Sequence, residues 1–180
     1  MINSMEGSKI HPVWMLPLVL VLMIVSGCSI GPKTAPDLLA HAEKNVKPLV
    51  NNAVIINVEI DSNINNHEEI DKTVKESIEM ALNNSNIFGE DSSQKYRIDA
   101  NILIASQAAF SFGSFEGKLK IHYKLFDPSD NKIFDKTIYT EAGSDQQHFL
   151  GAKRHRRSRA VNISKNVLQF IDGLQNHLAE

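Results

Sequence analysis

Lys118-Leu119-Lys120-Ile121-His122-Tyr123-Lys124-Leu125 decides the fold of this chain. Polar and apolar residues alternate without a break, and a strand turns successive side chains to opposite faces. Leu119, Ile121, Tyr123 and Leu125 therefore face a core, while Lys118, Lys120, His122 and Lys124 face water. Just beyond, Pro128-Ser129-Asp130-Asn131 is a turn signal, so residues 132–140 return as an antiparallel partner. On the other side, Tyr96, Ile98, Ala100, Ile102 and Ile104 alternate with Arg97, Asp99 and Asn101, which gives a further strand. Residues 110–117, FSFGSFEG, read as the turn between those two strands.

Further out, Val54, Ile56, Val58 and Ile60 alternate with Ile55, Asn57 and Glu59 in a strand over 53–60. The period then changes. From His67 to Asn83 the apolar residues Ile70, Val74, Ile78, Ala81 and Leu82 recur at helical spacing. Asn66, followed by Glu68 and Glu69, suits a helix start, because acids are favoured at the positive end of the helix dipole. Ile163, Val167, Phe170, Ile171, Leu174 and Leu178 mark a long C-terminal helix. A short helix from Asp37 to about Val46 precedes these elements, with Leu38, Leu39, Ala42 and Val46 on one side. The order β-α-β-β-β-α predicts an α+β two-layer sandwich: an antiparallel four-stranded sheet with two helices on one face.

The chain has 180 residues, a formal net charge of −2 and one cysteine, which excludes an internal disulfide and any overall charge drive towards nucleic acid. That cysteine is placed informatively. Lys9 lies in a polar start, Val13 to Val25 runs VWMLPLVLVLMIV without a charge, and Ser26-Gly27-Cys28 follows. The run is too short for a spanning helix and is broken by Pro17, so residues 1–27 read as a secretory signal. Val25-Ser26-Gly27-Cys28 resembles the lipobox of bacterial lipoproteins. That resemblance implies diacylglyceryl transfer to the Cys28 thiol, cleavage before it and acylation of the new amine. Because Ser29 rather than Asp follows, it also implies the periplasmic leaflet of the outer membrane. Residues 28–52 then form the lipidated cysteine and a tether, SIGPKTAP and a short helix, ahead of a periplasmic domain at 53–180.

No Gly-rich phosphate loop, His-Glu-x-x-His, Gly-x-Ser-x-Gly or free cysteine nucleophile is present. His41, His67, His122, His148, His155 and His177 are scattered, without metal-ligand spacing, so no cofactor or metal is expected. The one local extreme is Lys153-Arg154-His155-Arg156-Arg157-Ser158-Arg159, at the start of the last helix, where cations oppose the dipole. One account is salt bridging to carboxylates such as Glu141 and Asp145, or plain solvation. The sharper account makes Lys153, Arg154, Arg156, Arg157 and Arg159 an anion-binding surface for lipid phosphate or an acidic partner protein. An exported protein has little occasion to bind nucleic acid.

Tyr96-Arg97-Ile98-Asp99-Ala100, Tyr123-Lys124-Leu125, Lys132-Ile133-Phe134, Phe149-Leu150-Gly151, the arginines of 154–159 with Ala160, Asn162-Ile163 and Phe170-Ile171-x-x-Leu174 together resemble a set of small proteobacterial lipoproteins. The layout is also similar to the envelope lipoproteins that include ABC-transport auxiliary lipoproteins and the lipopolysaccharide-assembly lipoprotein. This resemblance implies a sheet with two helices acting as an accessory or plug, without catalysis. The expected role is thus a non-enzymatic, membrane-anchored accessory in envelope assembly or transport that binds a protein partner or anionic lipid. The alternatives are an enzyme with a cryptic site acting on envelope glycans or lipids, and a purely structural envelope protein.

Overall fold

The computed structural model describes residues 35–66, 68–107, 116–143 and 151–180. In chain order these form α1 (Pro36–Leu39), β1 (Val50–Ile60), α2 (Ile70–Ser85), β2 (Phe88–Gln107), β3 (Glu116–Phe126), β4 (Lys132–Gly143) and α3 (Gly151–Ala179). The strands make one sheet in the order β1-β2-β3-β4. α2 packs on β1 and β2, α3 on β3 and β4, and the helices on each other, so the expected two-layer α+β sandwich is formed.

The sheet is mixed rather than antiparallel, because β1 and β2 run parallel. α2 is the physical reason. Its sixteen residues rise about 24 Å, enough to carry the chain back to the end where β1 began. β2–β3 and β3–β4 are antiparallel, as the hairpin signals required. At the β3–β4 turn, Asp127 Oδ1 accepts the backbone N–H groups of Ser129 and Asn131 at 2.8 and 2.9 Å. Asp130 there takes a left-handed φ of 63°.

The inward residues of β2 and β3 pair in register, Ile98 with Leu125, Ala100 with Tyr123 and Ile102 with Ile121. Against them Phe170 of α3 stacks on Tyr123 with ring centroids 4.2 Å apart, and Phe134 meets Phe170 edge-on at 5.9 Å. Leu39 of α1 is fully buried in the same core. The expectation that Ile104 joins this inner row is overturned. A register shift between Ile102 and Ile104 puts one extra residue into β2, so Ile104 emerges on the wet face and Ala105 turns inward.

β2 also begins earlier than its apolar alternation, which starts at Tyr96. Phe88 to Lys95 pairs irregularly with the start of β1, with shifts on both sides of Asn52, and Gly89 lies under Asn51. α2 begins at Ile70 rather than His67. Asn66 nevertheless caps it: its Oδ1 accepts Ile70 N–H at 2.7 Å, and its amide donates to Asp71 at 2.8 Å. Residues 108–115, most of the expected β2–β3 turn, lie outside the described residues.

α3 is not docked by apolar contacts alone. Ser158, Asn162 and Asn166 recur every four residues and form a buried polar seam facing β3 and β4. Ser158 Oγ donates to Ala142 O at 3.2 Å, and Asn162 Nδ2 to Gly117 O at 2.8 Å. Asn166 Nδ2 donates to Ile138 O at 3.2 Å and Thr140 Oγ1 at 3.1 Å, and its Oδ1 accepts the Tyr123 hydroxyl at 2.8 Å. The seam fixes both the height and the rotation of the helix over the sheet. Burial drives the Tyr123 hydroxyl well above the usual tyrosine range, so it stays protonated and donating.

Candidate functional site

The basic stretch occupies the first turns of α3, beside the ends of β2, β3 and β4. Lys153 and Arg154 lie in its opening turn; Arg156 is exposed. Arg157 and Arg159 are not loose cations. Arg157 makes a two-pronged contact with Asp37 of α1, Nη1 to Oδ1 at 3.2 Å and Nη2 to Oδ2 at 2.7 Å. The guanidinium holds the Asp37 carboxyl below its usual range, and Asp37 raises Arg157 in return. Arg159 donates to Glu68, in the segment leading into α2, and is largely shielded from water, which depresses its pKa. These partners differ from those expected. Glu141 instead accepts the Tyr139 hydroxyl and lies 3.7 Å from Lys118, while Asp145 falls outside the described residues.

The two ion pairs do structural work. Asp37–Arg157 fastens the chain just after the tether to the second turn of α3. From there residues 37–45 run along the helical layer to its far end, where Gln175 donates to Glu43 O at 2.8 Å and Asn45 pairs with Ser85. Glu68–Arg159 ties the entrance of α2 to α3. Asp37 and Glu68 were invisible as partners in the sequence, because they lie 120 and 91 residues from the arginines they meet.

Beneath Arg159 sits a cavity of about 30 Å³ walled by Ile70, Ala105, Leu119 and Ile163. Asn162 also lines it, and the Oδ1 of this buried residue has no protein partner. The space suits one or two waters rather than a substrate.

The wet sheet face holds a groove of about 260 Å³ lined by Asn57, Glu59, Arg97, Asp99, Asn101, His122 and Lys124. Several of its polar groups are paired. Asn57 Nδ2 donates to Asp99 at 3.0 Å, Arg97 reaches Asp130 at 2.6 Å and lies 4.3 Å over the Phe126 ring. His122 Nε2 meets Asp135 Oδ1 at 2.7 Å. Lys132, and after it His122, lowers the Asp135 carboxyl to about 2. Among the described residues, no three of His, Cys, Asp and Glu cluster as metal ligands, and no helix is long and apolar enough to cross a membrane. Cys28 lies outside the described residues.

No protein-family model matches the chain, and no curated sequence matches it. Its fold is nonetheless shared with solved structures. A Caulobacter crescentus protein described as a lipoprotein is 10% identical, covers 80% of this chain and 94% of its own, and superposes with a TM-score of 0.50. A Xanthomonas campestris protein of the DUF330 group is 8% identical over 74% of this chain and 86% of its own, also at 0.50. At such identities the likeness establishes a common sheet-and-helix architecture.

Proposed function

We propose that this chain is a bacterial envelope lipoprotein, held by lipid on Cys28 in the periplasmic leaflet of the outer membrane. There it serves as a non-enzymatic accessory in envelope assembly or transport. The observation that carries the reading is Val25-Ser26-Gly27-Cys28, closing a thirteen-residue apolar run and holding the only cysteine of the chain. Two or three acyl chains, at about 0.8 kcal/mol per buried methylene, make release from the bilayer very slow. The shared fold with the Caulobacter protein described as a lipoprotein supports the same assignment. Lys153, Arg154 and Arg156 are the cations with which the domain would meet an acidic protein partner or anionic lipid. Arg157 and Arg159 serve the fold through Asp37 and Glu68.

Metabolic labelling with an alkyne fatty acid tests the anchor. Wild type incorporates label and fractionates with outer membrane; Cys28→Ala does neither. Label on both forms, or on neither, refutes lipidation at Cys28. The accessory role is tested by affinity capture from detergent-solubilised envelopes with wild type and a Lys153→Gln/Arg154→Gln/Arg156→Gln variant. Loss of an envelope partner in the variant supports the role of the stretch, and equal recovery by both rejects it.

A further inference from the structure

The strand ends beside the basic turns of α3 have a second property. Because of the register shift in β2, Ile104 is turned outward and is 37% exposed. It pairs across the sheet with Lys120, and Lys120 with Tyr139, which is 47% exposed. The next outward row towards the sheet end is Ser106, Lys118 and Glu141. A large aliphatic side chain, a tyrosine and two lysines thus share one patch of the wet face. On the helical layer at the same end, Arg156 is exposed. At the opposite end charges of both signs are mixed: Asp127 and Asp130 in the β3–β4 turn and Glu90 and Asp91 near the start of β2 stand among Lys95, Arg97 and Lys132.

The chain enters the fold near that cationic end. Asp37 is clamped to Arg157 in the second turn of α3, and residues 37–45 lead away from it towards Ser85. Six residues lie between Cys28 and Ala35, and the seven Cα–Cα steps limit their span to about 25 Å. A lipid on Cys28 therefore holds this end close to a leaflet, and its chemistry suits one. Tyrosine and aliphatic side chains settle at the headgroup boundary, and lysines lay their stems along it while their ammonium groups meet phosphate.

We infer that this end of the sandwich docks on the anionic phospholipid surface of the membrane that holds the anchor, through Ile104, Lys118, Lys120, Tyr139 and Arg156. The inference rests on the lipid-anchored reading of Cys28 and adds an orientation to it: the α3 N-terminal end faces the leaflet and the β3–β4 turn faces away. Glu141, a carboxylate within the patch, holds Tyr139 and Lys118 on the free protein. Docking lets phosphate replace it.

The test uses the full lipidated protein reconstituted into vesicles, with Tyr139→Trp as reporter. The only native tryptophan, Trp14, lies in the signal segment, so the processed chain then carries a single one. Mass spectrometry first establishes lipid on Cys28; its absence refutes the anchor reading and overturns the orientation with it. With lipid present, vesicles of phosphatidylethanolamine containing about a quarter phosphatidylglycerol should shift the emission to the blue. Spin-labelled lipid should quench it there, with neither effect in phosphatidylethanolamine alone. Lys118→Gln/Lys120→Gln/Arg156→Gln in the same background should lower the docking equilibrium on the order of a hundredfold, from about fivefold per charge. Circular dichroism should show an intact fold in that variant. Water-exposed emission in the anionic vesicles, or undiminished quenching in the folded three-charge variant, overturns the inference.

Discussion

Asn166 is the residue whose loss should be felt most through a single neighbour. It is fully buried, accepts the Tyr123 hydroxyl at 2.8 Å, and donates to Ile138 O and Thr140 Oγ1. Asn166→Ala removes three hydrogen bonds, each worth about 1 kcal/mol net, and leaves the Tyr123 hydroxyl buried without its acceptor. We expect a loss of about 3 kcal/mol. Tyr123→Phe keeps the ring stacked on Phe170 but strands Asn166 Oδ1, and should cost about 1.5 kcal/mol. In the double variant neither orphan exists, because the hydroxyl and its acceptor leave together. Its loss should fall short of the summed single losses by about 1 to 2 kcal/mol. Urea unfolding of the Cys28→Ser mature chain, followed by circular dichroism, reads this directly. With a slope near 2 kcal/mol per molar, Asn166→Ala lowers the midpoint by about 1.5 M. Additivity within about 0.5 kcal/mol would show that the two side chains are not coupled and that the polar seam does not position α3 as argued.

Two glycines should respond to alanine with opposite signs. A Cβ at Gly89 would stand 2.3 Å from the backbone oxygen of Asn51, so Gly89→Ala must push β1 from β2 and cost about 1 to 3 kcal/mol. At Gly173 the nearest atom is the Lys136 Nζ at 3.1 Å, the free end of a flexible chain, so Gly173→Ala should be neutral or stabilise by up to about 1 kcal/mol through helix propensity. Thermal melts of both variants decide this, and a destabilised Gly173→Ala would refute it. Asp135 gives a pH dependence. Its carboxyl falls from 3.8 to about 2, first through Lys132 and then through His122, so its stabilising effect is complete above about pH 4 and fades as pH drops towards 2. Asp135→Asn should flatten that part of the melting-temperature profile, and parallel wild-type and variant profiles between pH 5 and 2 would exclude the contribution.

Local chemistry was enough for a good part of this protein. The alternation in 118–125 set β3 and its two faces, and Pro128–Asn131 set the hairpin, because side-chain period and turn propensity act over a few residues. The lipobox-like Val25–Cys28 is likewise a contiguous pattern. The features that pairing decides were beyond it. β1 and β2 are parallel because of where α2 delivers the chain, and Phe88–Lys95 is a strand because β1 lies beside it, with no alternation of its own. Ile104 reads as core by period and is turned outward by one extra residue in β2, a shift that only the partner strand reveals.

The candidate site divides in the same way. Five cations in seven residues are plain in the sequence, yet nothing near them distinguishes Arg157 and Arg159 from Arg156. Only the tertiary structure does so, by bringing Asp37 and Glu68 across 120 and 91 residues of chain. Charge density is a property of neighbours along the chain. Whether a charge is spent inside the fold or left for a partner depends on which distant carboxylate the packing of α1 and α2 places within a few ångströms of it.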